Sequence, residues 1–190
     1  EDAGKLDDAR QTYQALTDLP NLPATVKQEG IVDLAQLLLR TGNPAEADKR
    51  LKALGDSLPP TDPLTPMVRA YRVAAALGLN QTATVEKDLR DLLKTADNPR
   101  LRGLVYNLLG EFHRKNNRLE DAFWCYLRVD TLYNDDPEEQ ARALYHLVEL
   151  FDKVRKDPQR GRECAARLRE ARFANTAYPK MLPRDDAAKP

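Results

Sequence analysis

Excess charge of either sign is absent from this chain: 30 Lys and Arg stand against 30 Asp and Glu. A protein that gains its affinity by releasing counterions from nucleic acid or from an anionic membrane carries a surplus of cations, so no nucleic-acid partner is expected. Long apolar runs are also missing, and no membrane-spanning segment is expected. Cysteine is scarce: Cys125 and Cys164 belong neither to a CxxC pair nor to a Cys/His cluster, which argues against a zinc site or a redox motif. There are two histidines, His113 and His146, with no HExxH, no pair at metal-ligand spacing and no Ser/His/Asp pattern. The eight glycines make no phosphate-cradling loop, since Gly103 and Gly110 stand alone within helical stretches. Together these absences predict a non-enzymatic protein with no cofactor, no metal and no catalytic residues. No signal peptide is visible and the chain begins at Glu1, so it is expected to be a piece of a longer protein. The compartment stays open between the cytoplasm and a bacterial periplasm or envelope.

What the sequence does contain is helical periodicity interrupted at regular places. Residues 106–126, YNLLGEFHRKNNRLEDAFWCY, read as two amphipathic helices joined by a polar turn, with Tyr106, Leu109, Gly110 and His113 on one stripe and Ala122, Tyr126 and Val129 on the other. Gly110 and Ala122 are small where two antiparallel helices cross closely, and large rings flank them. The same twelve-residue interval separates Ala35 from Ala47 across the turn Thr41-Gly42-Asn43-Pro44, in which Gly42 ends one helix and Pro44 opens the next. The small residues of successive second helices, taken as Ala9, Ala47, Val85, Ala122 and Cys164, fall at intervals of 38, 38, 37 and 42. Two helices per regular period are the mark of an α-solenoid, in which no hairpin buries its stripe alone. Prolines such as Pro59, Pro63, Pro99 and Pro137 punctuate the stretches without interrupting them.

Tyr106, Leu109, Gly110, Ala122 and Tyr126 resemble the tetratricopeptide signature, with His113 where that family usually has an aromatic and Asn134 where it usually has proline. The longer period is similar to that of divergent repeats in bacterial envelope assembly proteins, in which a repeat often ends in Tyr-Pro, as Tyr178-Pro179 does here. The resemblance implies an all-α, right-handed solenoid of about four antiparallel hairpins plus a leading half repeat. The expected repeat domain covers residues 1–178, with the second helix of a cut repeat at 1–19 and hairpins at 25–57, 64–96, 100–133 and 138–176. In the leading helix Gly4, Leu6, Ala9, Tyr13 and Leu16 form the stripe, and Cys164, Leu168 and Ala171 form the last one. Residues 179–190 are expected to be a polar, frayed tail.

Stacked hairpins curve, and the first helix of each lines the concave wall. Positions one step off the packing stripe project Glu29, Val32, Gln36, Arg69, Arg72, Asn107, Glu111, Arg114, Tyr145 and Glu149 onto that wall. This is a mixed polar surface suited to gripping a protein or peptide segment through side-chain hydrogen bonds. The Lys/Asn/Arg clamp with which some tetratricopeptides hold a C-terminal carboxylate is not expected, because the matching places hold Val32, Gln36 and Glu111. Trp124 is expected in the inter-repeat core, Cys125 and Cys164 as free buried thiols, and the basic run Arg155, Lys156, Arg160, Arg162, Arg167 and Arg169 as a solvated face. The functional expectation is therefore a scaffold or adaptor that binds a partner. Three rivals stand beside it. A structural spacer or self-assembly domain predicts homo-oligomers. An enzyme domain needs a pocket that brings His113 or His146 to a carboxylate. Nucleic-acid binding through the last arginines predicts steep salt dependence.

Overall fold

Proline opens four of the helices, at the first helical position, where its missing N–H is no loss. Pro44, Pro99, Pro137 and Pro158 are each the first residue of a helix. Side-chain caps reinforce three of these starts: Asn98 accepts from the Arg100 N–H at 2.8 Å, Asp136 from the Glu138 N–H at 2.9 Å, and Asp157 from the Arg160 N–H at 3.1 Å. The computed structural model describes residues 2–183, with side chains from residue 8 onward. The expected stripe positions Gly4 and Leu6, and residues 184–190 of the expected tail, lie outside the described side chains. Among the described residues the fold is all-α, with ten α-helices, one 3-10 turn and no strand. The helices are α1 (Asp2–Asp18), α2 (Ala24–Arg40), α3 (Pro44–Ser57), α4 (Thr65–Gly78), α5 (Val85–Thr95), α6 (Pro99–Lys115), α7 (Leu119–Leu132), α8 (Pro137–Arg155), α9 (Pro158–Leu168) and α10 (Tyr178–Met181), with the 3-10 turn at Ala171–Phe173.

A left-handed residue closes four of these helices. Gly42, Asn80, Asn117 and Lys156 follow α2, α4, α6 and α8 with φ of 76, 59, 57 and 56°. The next residue donates its N–H back into the helix, from Asn43 to the Leu38 carbonyl, Gln81 to Ala76 and Arg118 to His113, each at 2.8 Å. That is the geometry of a helix stop that turns the chain sharply. At the fourth turn the bond reaches one residue further, from Asp157 to the Phe151 carbonyl at 3.1 Å. Counting five residues on from each left-handed position gives Ala47, Val85, Ala122 and Gly161, all buried.

That count corrects the expected register of the last hairpin. Gly161, not Cys164, is the small residue at the crossing: a Cβ there would lie 2.6 Å from the Val148 carbonyl oxygen. The irregular interval of 42 thereby becomes one of 39. The equivalent closeness in the preceding hairpin is between Gly110 and Tyr126, whose ring atoms would lie 2.6–2.9 Å from a Cβ at position 110.

The chain divides into two compact units, residues 1–95 and 96–190. In the first, each of α1 to α5 packs on the next, and α2 also packs directly on α4. Leu34, Ala35, Leu38, Ala47, Leu51, Leu54, Val68 and Tyr71 are buried there. In the second, α6, α7, α8 and α9 pack in succession, α6 packs directly on α8, and the 3-10 turn and α10 return to α8. Its core is built from Phe123, Tyr126, Val129, Leu144, Leu147, Phe151, Leu168 and Phe173.

Three expectations in the second unit are revised. Trp124 is 40% exposed, because α7 turns Phe123, Tyr126 and Val129 inward and leaves its neighbour on the outer side. There Trp124 lies edge-on to Phe123 at 5.3 Å, with the Arg155 guanidinium 5.5 Å from its ring. Ala171 is exposed and Phe173 takes the core position instead, since the chain leaves α9 at Arg169 and tightens into a 3-10 turn. Leu182, expected in a frayed tail, is instead buried just beyond α10. Cys125 and Cys164 are both buried and form no disulfide. The basic run is exposed, as expected, and from it Arg167 makes a two-pronged pair with buried Asp130 at 2.7 and 2.8 Å, to which Gln140 also donates at 2.8 Å.

Helix propensity alone favours Gly→Ala in a helix by about 1 kcal/mol. At Gly110 and Gly161 the clash exceeds that gain, and Gly110→Ala and Gly161→Ala are expected to lower stability by about 1–3 kcal/mol in urea unfolding. Gly55→Ala, whose Cβ would sit 3.5 Å from Val68, is expected to be neutral or stabilising in the same measurement. Lys156→Gly relieves a left-handed side-chain conformation and is expected to raise stability by about 0.5–1 kcal/mol.

Candidate functional site

Two polar stripes face each other where α6 meets α8. Asn107, Glu111 and Arg114 recur at helical spacing on α6; Glu139, Arg142, His146 and Glu149 do so on α8. They meet in rungs. The Asn107 amide donates to the Glu139 carboxylate at 2.6 Å and to its carbonyl at 2.9 Å. Arg142 pairs with Glu111. Arg114 donates to His146 Nδ1 at 3.0 Å and reaches Glu149 at 4.0 Å. The partners are separated by 32, 31 and 32 residues in turn, so the two helices run in the same direction and in register.

The ladder changes character along its length. At the inner end Asn107 and Glu139 are 0% and 6% exposed. At the outer end the Arg114, Glu149 and Lys153 side chains are 35%, 46% and 54% exposed. Behind it stands Tyr126, seated on Gly110, with the His146 ring tilted against its own at 4.6 Å. Tyr145, half-buried on α8, stacks obliquely on Tyr178 of α10 at 5.8 Å.

Burial and neighbouring charge set the protonation of this layer. Arg114 has only donors, so His146 Nδ1 must accept, and the neutral ring carries its proton on Nε2. Burial, reinforced by the Arg114 and Arg142 cations, holds the His146 pKa down at about 3. Burial pushes the Glu139 carboxyl above the ordinary glutamate range, against the pull of the Arg142 guanidinium and the Asn107 amide. Burial also opposes the Arg142 charge, but the Glu139 and Glu111 carboxyl groups beside it hold the guanidinium protonated.

The projected wall residues separate into three kinds. Glu111, Arg114, Tyr145 and Glu149 come together around α8 as described. Val32 and Asn107, projected onto an open wall, are instead buried, at 7% and 0% exposure. Each precedes the small crossing residue of its helix by three positions, and the next first helix covers that side, α4 over Val32 and α8 over Asn107. In the first unit no such ladder forms: Glu29 and Arg69 are exposed, Gln36 is half-buried, and Arg72 turns to Asp48 of α3 at 3.2 Å. Sequence projection missed Glu139, Arg142 and Tyr178. The one signal for Glu139 and Arg142 was that they follow Asn107 and Glu111 by 32 and 31 residues.

As chemistry, the arrangement fixes two helices against each other. At the inner end the Asn107 amide nitrogen is satisfied by Glu139 while its Oδ1 is buried with no hydrogen-bond partner among the described residues, and at the outer end the charged groups are exposed. His113 is packed beside Phe112 at 5.7 Å. Among the described residues, no group of three or more His, Cys, Asp and Glu is placed to hold a metal ion, and no helix is long and apolar enough to cross a membrane. An open depression at the start of α7, lined by Asn117, Arg118, Leu119, Glu120, Asp121 and Trp124, brings no reactive pair together.

His146 supplies a pH signature. Its folded pKa lies below the unfolded value, so its contribution to stability is complete above pH 6.5 and is lost as pH falls toward 3. The slope attributable to it is at most about 1.4 kcal/mol per pH unit. His146→Gln is expected to flatten the wild-type decline between pH 6 and 4 in denaturant unfolding. An unchanged slope removes His146 from the buried layer. Comparison of the chain with protein-family models, with curated proteins and with solved structures finds no match in any of the three.

Proposed function

We propose that this chain is a non-enzymatic interaction module, a right-handed α-solenoid of tetratricopeptide-like hairpins that holds a segment of another protein along its first helices. The observation that carries the reading is the rim of the α6–α8 ladder. Two parallel helices are fixed in register by buried rungs, and the Arg114, Glu149 and Lys153 side chains are presented at their outer edge beside Tyr145. A wall fixed before binding loses little entropy on association, and exposed charges of both signs select register and orientation in a bound segment. The turn residues Gly42, Asn80, Asn117 and Lys156, at intervals of 38, 37 and 39, support the repeat reading.

The test uses the chain as bait, with captured proteins quantified by mass spectrometry beside Arg114→Ala/Glu149→Ala and Arg69→Glu/Arg72→Glu. A partner on the ladder rim is expected to be retained by wild type and by the Arg69/Arg72 variant, and reduced about tenfold by the Arg114/Glu149 variant, since two rim charges contribute roughly 1.4 kcal/mol together. Equal retention by all three baits overturns the rim assignment. Retention of the chain itself alone, with mass rising with concentration, moves the reading to self-assembly.

A further inference from the structure

The pairing of first helices, α2 on α4 and α6 on α8, continues once more at the end of the chain, where α10 packs on α8 and α9. The later member is very unequal: α4, α8 and α10 have 14, 19 and 4 residues. No residue of α10 is buried. Its hold on α8 comes from side chains one helical turn apart. Tyr178 lies on Tyr145 at 5.8 Å, and Leu182, just past the helix, is 8% exposed. Tyr178 also stands close to the Arg142 guanidinium. Upstream, Phe173 is 1% exposed and anchors the segment, with Thr176 buried beside it and its hydroxyl on the Phe173 carbonyl at 2.8 Å, whereas Ala174, Asn175 and Ala177 are exposed.

This is the arrangement of a ligand tied to its own receptor. Phe173 serves as a tether in the core; Tyr178 and Leu182 occupy the site. A four-residue helix contributes almost no cooperative stability of its own, so the two side chains must hold it by contact. Local opening of such a segment requires far less free energy than unfolding of the unit.

We infer that the face of α8 covered by residues 174–183 is an exchangeable docking site, filled in cis by Tyr178 and Leu182, for a helical partner segment that bears an aromatic residue and an aliphatic one four positions later. The segment that binds supplies a ring over Tyr145 beside the Arg142–Glu111 pair, and an aliphatic side chain in place of Leu182. Its helix extends along α8 toward Glu149 and Lys153, which α10 is too short to reach. A single helical turn is thus exchanged for a longer helix in the place that α8 itself takes on α6. Partner binding and release of the C-terminal segment are one event, and the occupied site is the resting state. The inference rests on the interaction-module reading and extends it to the chemistry of the partner.

The probe is a fluorescein-labelled peptide of residues 174–183, titrated by anisotropy into the full chain and into its Tyr178→Ala/Leu182→Ala variant. The variant is expected to bind the peptide saturably and at least about tenfold more tightly than wild type, whose own segment competes. The same peptide with alanine at the position of Tyr178 is expected to bind neither. Hydrogen exchange of wild type is expected to show the 174–182 amides opening at least about a hundredfold faster than those of α8. No peptide binding to a variant whose circular dichroism and melting are native overturns the inference. Equal binding to both chains overturns it as well. Loss of α8 protection in the variant, or exchange of 174–182 together with α8, makes the segment part of the core and does the same. A dimer of wild type that the double substitution abolishes assigns the site to a second copy and excludes the separate partner. The peptide experiment needs no partner, so peptide binding combined with empty pull-downs locates the failure in the module reading and not in the site.

Discussion

The turn that ends each first helix constrains everything downstream of it. A residue in the left-handed region reverses the chain within a few residues, and five positions later the second helix carries a buried residue, Ala47, Val85, Ala122 or Gly161. That fixed count makes the axes approach closely at Gly110–Tyr126 and at Val148–Gly161, where no Cβ fits. Close approach within a hairpin leaves the other flank of the first helix facing the next first helix, and this is where α6 and α8 meet in parallel. Glycine, two asparagines and a lysine fill the four turns. The lysine is held there against its own preference because Asp157 and Pro158 behind it already commit the chain to a new helix.

A layer of polar groups between two helices contributes little net stability compared with an apolar one, since desolvation offsets most of the attraction. Its effect is directional. Leucine against leucine tolerates a slip of one turn, whereas Asn107 on Glu139, Glu111 on Arg142 and Arg114 on His146 meet in one register only. The layer also grades from closed to open. The inner rung is buried, the outer groups retain hydration, and Tyr126 closes the back with its ring against His146. On the far side of α8, Asp130 receives Arg167 and Gln140 and fastens α7, α8 and α9 to one another, so α8 is fixed on both flanks.

Counting steps off the packing stripe gave positions around each helix but not their depth. Glu111, Arg114, Tyr145 and Glu149 were placed by counting steps off the packing stripe, and all four gather around α8. Counting gives an angle around one helix and carries no information about what covers that angle. Asn107 and Val32 share the angle but lie beneath the next first helix, so they became interior. Trp124 failed for the converse reason: it was assigned to the core as an aromatic at helical spacing, whereas its position beside Phe123 put it on the outer side of α7. Cys164 was aligned by its place on a stripe, and only the turn geometry showed Gly161 to be the crossing residue.

By itself the sequence determined the helices, their hairpin order and the places where the chain turns. These depend on local quantities: proline at the first helical position, a capping side chain, the period of apolar residues, and glycine or asparagine at a stop. Tertiary structure decided which stripes lie against which, and therefore which polar residues became rungs and which became rim. It decided that Tyr178 and Leu182 fold back onto α8 and do not trail as a tail. Partners about 32 residues apart meet only because an intervening hairpin of fixed geometry brings them together, and the burial that moves His146 and Glu139 from their ordinary pKa values exists only once that hairpin has closed.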